Sequence, residues 1–185
     1  MSVGREADEW LMAQVARGDH ARLEPLVRRY ASPLLTFITR MVGDGHRAEE
    51  LFQDAFLAVW VKRTQYRFPR PFKPWLYGIA ANKCRAIFRV RKLPIVARPD
   101  CGDEALAPAI GSRPGDALLA AETAVHVAAA VGALPARQRA VVVLRIWSEL
   151  SYAEIADALD TTESTVRSNM HHGLSAMRLY LEPRL

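Results

Sequence analysis

The stretch 151–178, SYAEIADALDTTESTVRSNMHHGLSAMR, constrains this chain most, because its pattern predicts two helices joined by a tight turn. Ser151 and Glu154 have the spacing of a capping box at the start of the first helix. The apolar periodicity then breaks, and Thr161 or Thr162 is suited to cap the second helix. A short helix, a three-residue turn and a longer helix with polar and basic outward residues are typical of a helix-turn-helix. A plain helical hairpin with a solvated face has the same pattern. The sequence outside 151–178 is therefore needed to distinguish a helix-turn-helix from a hairpin.

The second helix of this pair divides its residues between an inward stripe and an outward face. The inward stripe is predicted to consist of Val166, Met170, Leu174 and Met177. The residues that lie off this stripe, where a ligand can meet them, are Thr165, Arg167, Ser168, His171 and His172. Two adjacent histidines on one helix point in different directions, so we expect no metal site at this pair.

The overall composition narrows the class of protein. Half of the 185 residues are hydrophobic, which is sufficient for folded cores, and the net charge of +5 with a pI near 9.6 favours a polyanionic partner. Cys84 and Cys101 have neither a metal-ligand nor a disulfide-framework spacing. The N-terminus lacks the apolar core of a signal peptide. The apolar run 118–134 is interrupted by Glu122 and His126, so it is not a membrane span. We therefore expect a cytoplasmic protein.

A predicted helix at about 46–62, HRAEELFQDAFLAVWVK, combines a buried apolar side with a mixed outward face. The outward face consists of Glu49, Glu50, Gln53, Asp54 and Leu57. His46 shares a helical face with Glu49, Glu50 and Asp54, which is a possible arrangement of metal ligands. However, no second helix with carboxylate and histidine ligands is present to complete a cage. A solvated or partner-binding face is the better interpretation.

The charge changes abruptly after this helix. Between Ala55 and Pro99 there is no Asp or Glu, whereas eleven Lys and Arg residues occur there. Aromatic residues are interleaved with them, namely Tyr66, Phe68, Phe72, Trp75, Tyr77 and Phe88. Like charges at this density repel one another unless a polyanion neutralises them. Basic groups together with aromatic faces suit single-stranded or opened nucleic acid, although a merely solubilising basic face is the alternative.

The stretch 93–115 separates two helical parts of the chain. It contains four prolines, three glycines and no sustained periodicity, which is typical of a linker. We therefore predict an all-α protein with two small helical domains, residues 1–92 and 116–185, joined by a flexible linker. The helix-turn-helix lies in the second of these domains.

Three blocks of the sequence, in this order, resemble the sigma factors of bacterial RNA polymerase, in particular the compact extracytoplasmic-function (ECF) group. AEELFQDAFLAVW at 48–60 is similar to the polymerase-binding helix of sigma region 2. FKPWLYGIAANKCRAIFRVRK at 72–92 is similar to the promoter-melting helix of that region, and 134–173 is similar to region 4. Because helix-turn-helix patterns are widespread, the order and combination of the blocks carry the resemblance.

The resemblance implies a role for each surface. Core RNA polymerase would bind, through its β′ clamp helices, the residues Glu49, Glu50, Gln53, Asp54 and Leu57. The promoter −10 element would be recognised and melted by Arg63, Tyr66, Arg67, Phe68, Lys73, Asn82, Lys83, Arg85 and Arg89. The −35 element would be contacted in the major groove by Thr165, Arg167, Ser168, His171 and His172. The resemblance also implies a contact with the polymerase β flap, an anti-sigma factor that holds the protein inactive, and no catalytic residue, metal or cofactor of its own.

The chain departs from the family pattern at two positions in the helix-turn-helix. Asp160 stands where the turn usually has Gly, so we expect it in a left-handed conformation. Gly173 is expected to cost about 1 kcal/mol of helix propensity relative to Ala. With much of the usual basic charge also replaced, we expect weak −35 affinity in isolation.

Two other classes of protein account for less of the sequence than a sigma factor does. A stand-alone helix-turn-helix regulator explains 151–178, but it leaves the acid-free block and the acidic helix face without a use. An enzyme is disfavoured, because the sequence shows no nucleophile–base set, phosphate loop or metal cluster.

Overall fold

The computed structural model describes residues 7–90 and 114–183, with the side chains of 89–90 and 114–120 left out. The regular elements of these residues are all helices: α1 (Asp8–Ala16), α2 (Leu23–Val42), α3 (Gly45–Val61), α4 (Phe72–Val90), α5 (Pro114–Ala133), α6 (Ala136–Ile146), α7 (Tyr152–Leu159) and α8 (Glu163–Leu181). The predicted all-α class is confirmed. The predicted linker lies outside the described residues, except that α5 begins at Pro114, inside its predicted end. Proline suits a first helical position because its missing N–H would have no partner there.

Short polar side chains cap the starts of α3, α7 and α8, as the sequence predicts. Asp44 caps α3 by accepting a hydrogen bond from the backbone N–H of Arg47 at 3.0 Å. Thr162 caps α8 by accepting from the N–H of Thr165 at 3.2 Å. Asp160 ends α7 in the left-handed conformation, with φ 51°, which confirms the expectation for this turn. These caps determine where the two helices of the helix-turn-helix begin and end.

The predicted capping box of α7 is present in full. The backbone N–H of Ser151 donates to Glu154 Oε2 at 2.8 Å, and the Ser151 hydroxyl donates to the same oxygen at 2.7 Å. The N–H of Glu154 lies 3.2 Å from Ser151 Oγ and donates to it. Hydrogen bonds from the Ser151 side chain and backbone hold the pKa of the Glu154 carboxyl below its usual value.

Ser151→Ala is expected to lower the free energy of unfolding by about 1 kcal/mol at pH 7, since the first turn of α7 loses its cap. The lowered pKa gives the carboxylate a stabilising effect above its unfolded-state pKa, and this effect is lost as pH falls through the folded-state pKa. The difference between variant and wild type should therefore shrink in acid. Urea denaturation at pH 7 and pH 4 measures it, and an equal difference at both values would contradict the carboxylate's role.

The first half of the described chain, residues 7–90, packs α1 to α4 around a common apolar core. Its largest fully buried side chains include Phe37, Phe72 and Tyr77. Phe37 and Tyr77 meet edge to face, with ring centroids 5.2 Å apart, which adds to the stabilisation from their burial. Because α3 and α4 both pack on this core, their outer faces are held at fixed positions.

The second half, residues 114–183, packs α5, α6 and α7 against α8. Val166, Met170 and Met177 are buried as predicted, but Leu174 is 44% exposed, so the prediction was wrong at that position. Gly173 lies in the contact instead: a Cβ atom there would lie 2.8 Å from Cγ2 of Val142 on α6. The absence of a side chain allows α8 to approach α6 closely, which offsets the low helix propensity of glycine.

The two halves are also in direct contact, which the sequence did not predict. Helix α4 packs along α7, and α2 packs against α6. The buried residues of both halves form one continuous apolar cluster. No helix within 7–90 or 114–183 is long and apolar enough to cross a membrane.

Candidate polymerase and nucleic-acid surfaces

The acidic face predicted on α3 is exposed along its whole length. Glu49, Glu50, Gln53, Asp54 and Leu57 all lie on the surface, while Ala48, Leu51, Ala55 and Val59 are buried beneath them. Leu57 is 61% exposed, and Val61, one turn further along, is 65% exposed. Val61 extends the apolar part of this face. The sequence could have indicated this, because residues four positions apart on a helix, such as Leu57 and Val61, lie on the same face. The α3 face therefore offers carboxylates beside an apolar patch.

The carboxylates of the α3 face have few intramolecular contacts. Glu50 accepts a hydrogen bond from Arg47 and lies 3.8 Å from the ring of His46. Asp54 lies 3.2 Å from the ammonium group of Lys83 on α4. The described residues contain no group of three His, Cys, Asp or Glu side chains arranged to hold a metal ion.

The loop between α3 and α4, residues 62–71, is called the basic loop below. Arg67 and Phe68 are exposed at its tip. Arg63 is half-buried, because its guanidinium stacks 4.1 Å from the ring centroid of Trp60 and donates to the Trp60 carbonyl. Tyr66 is buried, and its hydroxyl donates to the carbonyl of Arg70. A buried ring cannot stack on a base, so Tyr66 supports the loop in this conformation, whereas Phe68 presents a ring to solvent.

Helix α4 presents the other basic residues predicted to meet DNA. Asn82 is exposed and accepts a hydrogen bond from the guanidinium of Arg85. Lys83 and Lys73 are half-buried, and Lys83 pairs with Asp54. The backbone of Arg89 belongs to α4, but its side chain lies outside the described residues. A residue of the acid-free block thus pairs with a carboxylate outside the block, that of Asp54.

The recognition helix α8 presents its predicted outward residues. Thr165, Arg167, Ser168, His171 and His172 are all exposed. Arg167 lies over the ring of Tyr152 at 4.6 Å and 3.1 Å from a Glu163 carboxylate oxygen. The rings of the two histidines meet edge to face, with centroids 5.6 Å apart.

A cleft of about 320 Å³ lies between the surfaces of α4 and α8. Its lining includes Asn82 and Arg85 from α4, Thr165 and Asn169 from α8, and Arg137 from α6. Sequence reasoning missed Arg137; the local signal was the basic ARQR run at the start of α6. Side chains predicted to read two distant parts of a nucleic acid therefore face one another.

Comparison of the sequence with known protein families matches two regions of one protein class. Residues 26–93 match Sigma-70 region 2, and residues 126–177 match Sigma-70, region 4. The first match covers α2 from Leu26 onward, α3, the basic loop and α4, and the second covers the helix-turn-helix. The chain therefore has two regions of the sigma-70-type transcription initiation factors, in the family's order.

Full-length relatives narrow the class further. The chain is 32% identical to the ECF RNA polymerase sigma factor SigW of Bacillus subtilis, over 91% of this chain and 93% of that protein. It is also 32% identical to the RNA polymerase sigma-H factor of Pseudomonas aeruginosa, over 98% of this chain and 97% of that protein. The chain belongs to the ECF RNA polymerase sigma factors.

Solved structures share the fold. The structure of CnrH in complex with the cytosolic domain of CnrY superposes with a TM-score of 0.73 over 97% of this chain and 100% of that chain, at 23% identity. The sigma factor RpoE in complex with the anti-sigma factor NepR from Bartonella quintana gives a TM-score of 0.67 over 88% of this chain and 98% of that chain, at 19% identity.

Proposed function

We propose that this sigma factor directs core RNA polymerase to a small set of promoters by recognising their −10 and −35 elements, and that it helps to open the DNA. The observation that carries the proposal is the adjacency of two surfaces in the first half. The exposed α3 face and the basic surface of α4 share the ion pair between Asp54 and Lys83. Polymerase bound on α3 would therefore lie next to DNA bound on α4.

The α3 face, Glu49, Glu50, Gln53, Asp54 and Leu57, is the proposed site for the β′ clamp helices of the polymerase. Its carboxylates suit a basic partner surface and steer the encounter, while the exposed leucine supplies apolar contact area. The second half would contact the β flap. We assign residues 1–92 to region 2 and 116–185 to region 4, with 93–115 connecting them through the polymerase.

The −10 element is assigned to the basic loop and α4. Arg67 and Phe68 at the loop tip and Asn82 on α4 are exposed, so they are placed to capture an unstacked base. Unpairing a base costs a few kcal/mol, which contacts in a protein site offset. The other residues assigned here are Arg63, Lys73, Lys83, Arg85 and Arg89 along the DNA backbone, with Tyr66 supporting the loop from within.

The −35 element is assigned to Thr165, Arg167, Ser168, His171 and His172 on α8. Arg167 is the residue best suited to specify a base, because a bidentate arginine–guanine pair contributes about 1–3 kcal/mol of discrimination. It would exchange its contacts with Glu163 and Tyr152 for the base edge. An anti-sigma factor is the proposed inhibitor, and the likeness in fold to an RpoE bound by the anti-sigma factor NepR supports that assignment.

The test is reconstitution of the wild-type protein with bacterial core RNA polymerase. The expected result is co-purification with core polymerase and transcription from a subset of genomic promoter fragments, with poor promoter binding by the free protein. A stand-alone regulator would instead bind its site tightly without polymerase and would not associate with it. That result, obtained with inhibitor-free protein, would overturn the proposal.

A further inference from the structure

We infer that Glu163 and Tyr152 lower the base selectivity of the −35 contact, because they offer Arg167 alternative binding partners within the chain. The two side chains would hold its guanidinium whenever the DNA presents a base that it cannot bind. The sigma factor would then tolerate substitutions at this base pair of its promoters. The inference rests on the proposed function, because it uses the role assigned there to Arg167.

The guanidinium of Arg167 has two partners in the free protein. Its Nη2 donates a hydrogen bond to Oε2 of Glu163, one turn earlier on α8, at 3.1 Å. Its Cζ lies over the ring of Tyr152 on α7, at 4.6 Å from the ring centroid. A base edge in the major groove lies beyond the outer face of α8. Arg167 therefore has to leave these partners when it binds a base.

Tyr152 is held in position independently of Arg167. It is the first residue of α7, and the complete capping box at Ser151 fixes the start of that helix. Arg145 at the end of α6 lies over the same ring at 5.2 Å and donates to the carbonyl of Leu150 at 3.0 Å. The ring therefore stays in place when Arg167 leaves, and the guanidinium can return to it.

The contacts of Arg167 are open to solvent, and they are weak enough to exchange. The side chains of Arg167 and Glu163 are 61% and 48% exposed. Solvent screens an exposed ion pair, and a cation over a partly exposed ring also contributes only modestly. A bidentate arginine–guanine pair is stronger than either contact. A guanine would therefore take Arg167 from its partners, whereas a base without two matching acceptors would leave it with them.

These partners affect only one of the two complexes that define selectivity. With the preferred base, the protein loses both contacts and gains the contact with the base. With another base it keeps both, so the guanidinium is not left without a partner at the interface. Selectivity is the difference between the two binding free energies, and the contacts within the chain reduce that difference.

The carboxylate of Glu163 also acts on DNA simply as a negative charge. It repels the phosphate groups of any sequence, because the backbone charge does not depend on the bases. This effect is the same for every base at the position that Arg167 reads, so it cancels in a ratio of affinities. Such a ratio therefore isolates the competition for Arg167.

The test measures the affinity of the reconstituted holoenzyme for a promoter that the wild type uses and for variants of its −35 element. Arg167→Ala first identifies the base pair that Arg167 reads, as the position at which the base preference disappears. Base preference is the affinity for the preferred base pair divided by the mean affinity for the other three. The matched control is Glu182→Gln, because Glu182 accepts from Arg178 at 2.8 Å in an equivalent pair at the end of α8.

Glu163→Gln combined with Tyr152→Leu should raise the base preference about fivefold, and Glu163→Gln alone about twofold, given the usual strength of exposed contacts of these kinds. Tyr152→Phe, which keeps the ring, and Glu182→Gln should leave the preference unchanged. In an Arg167→Ala background, Glu163→Gln should have no effect on it.

An unchanged or lower preference in the folded Glu163→Gln variant and in the folded double variant would overturn the inference. A merely structural role of these side chains would change the affinity for all four base pairs alike and leave their ratio as it is. If Arg167→Ala relaxes the preference at no position, the role assigned to Arg167 in the proposed function is wrong, and the inference fails with it.

Discussion

Leu57→Arg is expected to abolish co-purification with core RNA polymerase without changing the fold. The side chain is 61% exposed on α3, so a longer, charged side chain meets no obstacle within the chain. In the proposed complex the same position is covered, and a buried, unpaired guanidinium there costs several kcal/mol. We expect at least about a 100-fold loss of affinity, equivalent to about 2.8 kcal/mol.

The measurement is association with core polymerase, together with run-off transcription from a promoter that the wild type uses. Circular dichroism and urea denaturation establish that the variant is folded. Ala21→Arg, at an exposed position before α2, adds the same charge and should leave association unchanged. Wild-type affinity in Leu57→Arg would remove the α3 face from the proposed polymerase site.

Gly173→Leu is expected to lower the free energy of unfolding of the second half by about 3 kcal/mol. A Cβ atom alone at this position would lie 2.8 Å from Val142 Cγ2, and Cβ of Gln138 is 3.7 Å away on the same helix. Forcing additional atoms into a packed contact typically costs 1–3 kcal/mol, and a leucine adds three atoms beyond the Cβ. The recognition helix α8 would be displaced from α6 together with its outward residues.

A pair of smaller changes isolates the contact. Gly173→Ala gains about 1 kcal/mol of helix propensity but meets Val142, so it should destabilise modestly. In a Val142→Ala background the obstacle is gone, and Gly173→Ala should then stabilise. Urea denaturation of the two single variants and the double variant gives the coupling energy. Additive effects would show that the two positions do not meet.

Local chemistry determined the starts of α3, α7 and α8, which the sequence could therefore predict. Ser151 with Glu154, Asp44 and Thr162 are capping residues, and their hydrogen bonds join groups only three residues apart. Asp160 takes the left-handed conformation expected of a turn residue. The α3 face was predictable for the same reason, because helical periodicity alone separates Glu49, Gln53 and Leu57 from the buried side.

Where the burial of a residue differs from the prediction, tertiary packing determines it. The charge and aromatic pattern predicted both Tyr66 and Phe68 as DNA-facing, yet Tyr66 is buried against Phe72 and Trp75 while Phe68 is exposed. Because the loop has no regular periodicity, the sequence does not indicate which of these two aromatic side chains is buried. Leu174 belongs to the predicted apolar stripe but is 44% exposed, whereas its neighbour Gly173 lies in the contact with α6.

By itself, the sequence determined the all-α class, the caps, the charged surfaces and the membership of the ECF sigma factors, since each depends on local pattern or on similarity along the chain. The tertiary structure alone decided that the two halves meet. Gly78 against Ala158, Arg70 with Asp157, and Arg139 at the carbonyl of Met41 join residues about 80 to 100 positions apart. Such contacts leave no periodic signal, because each depends on the relative placement of whole helices rather than on neighbouring residues.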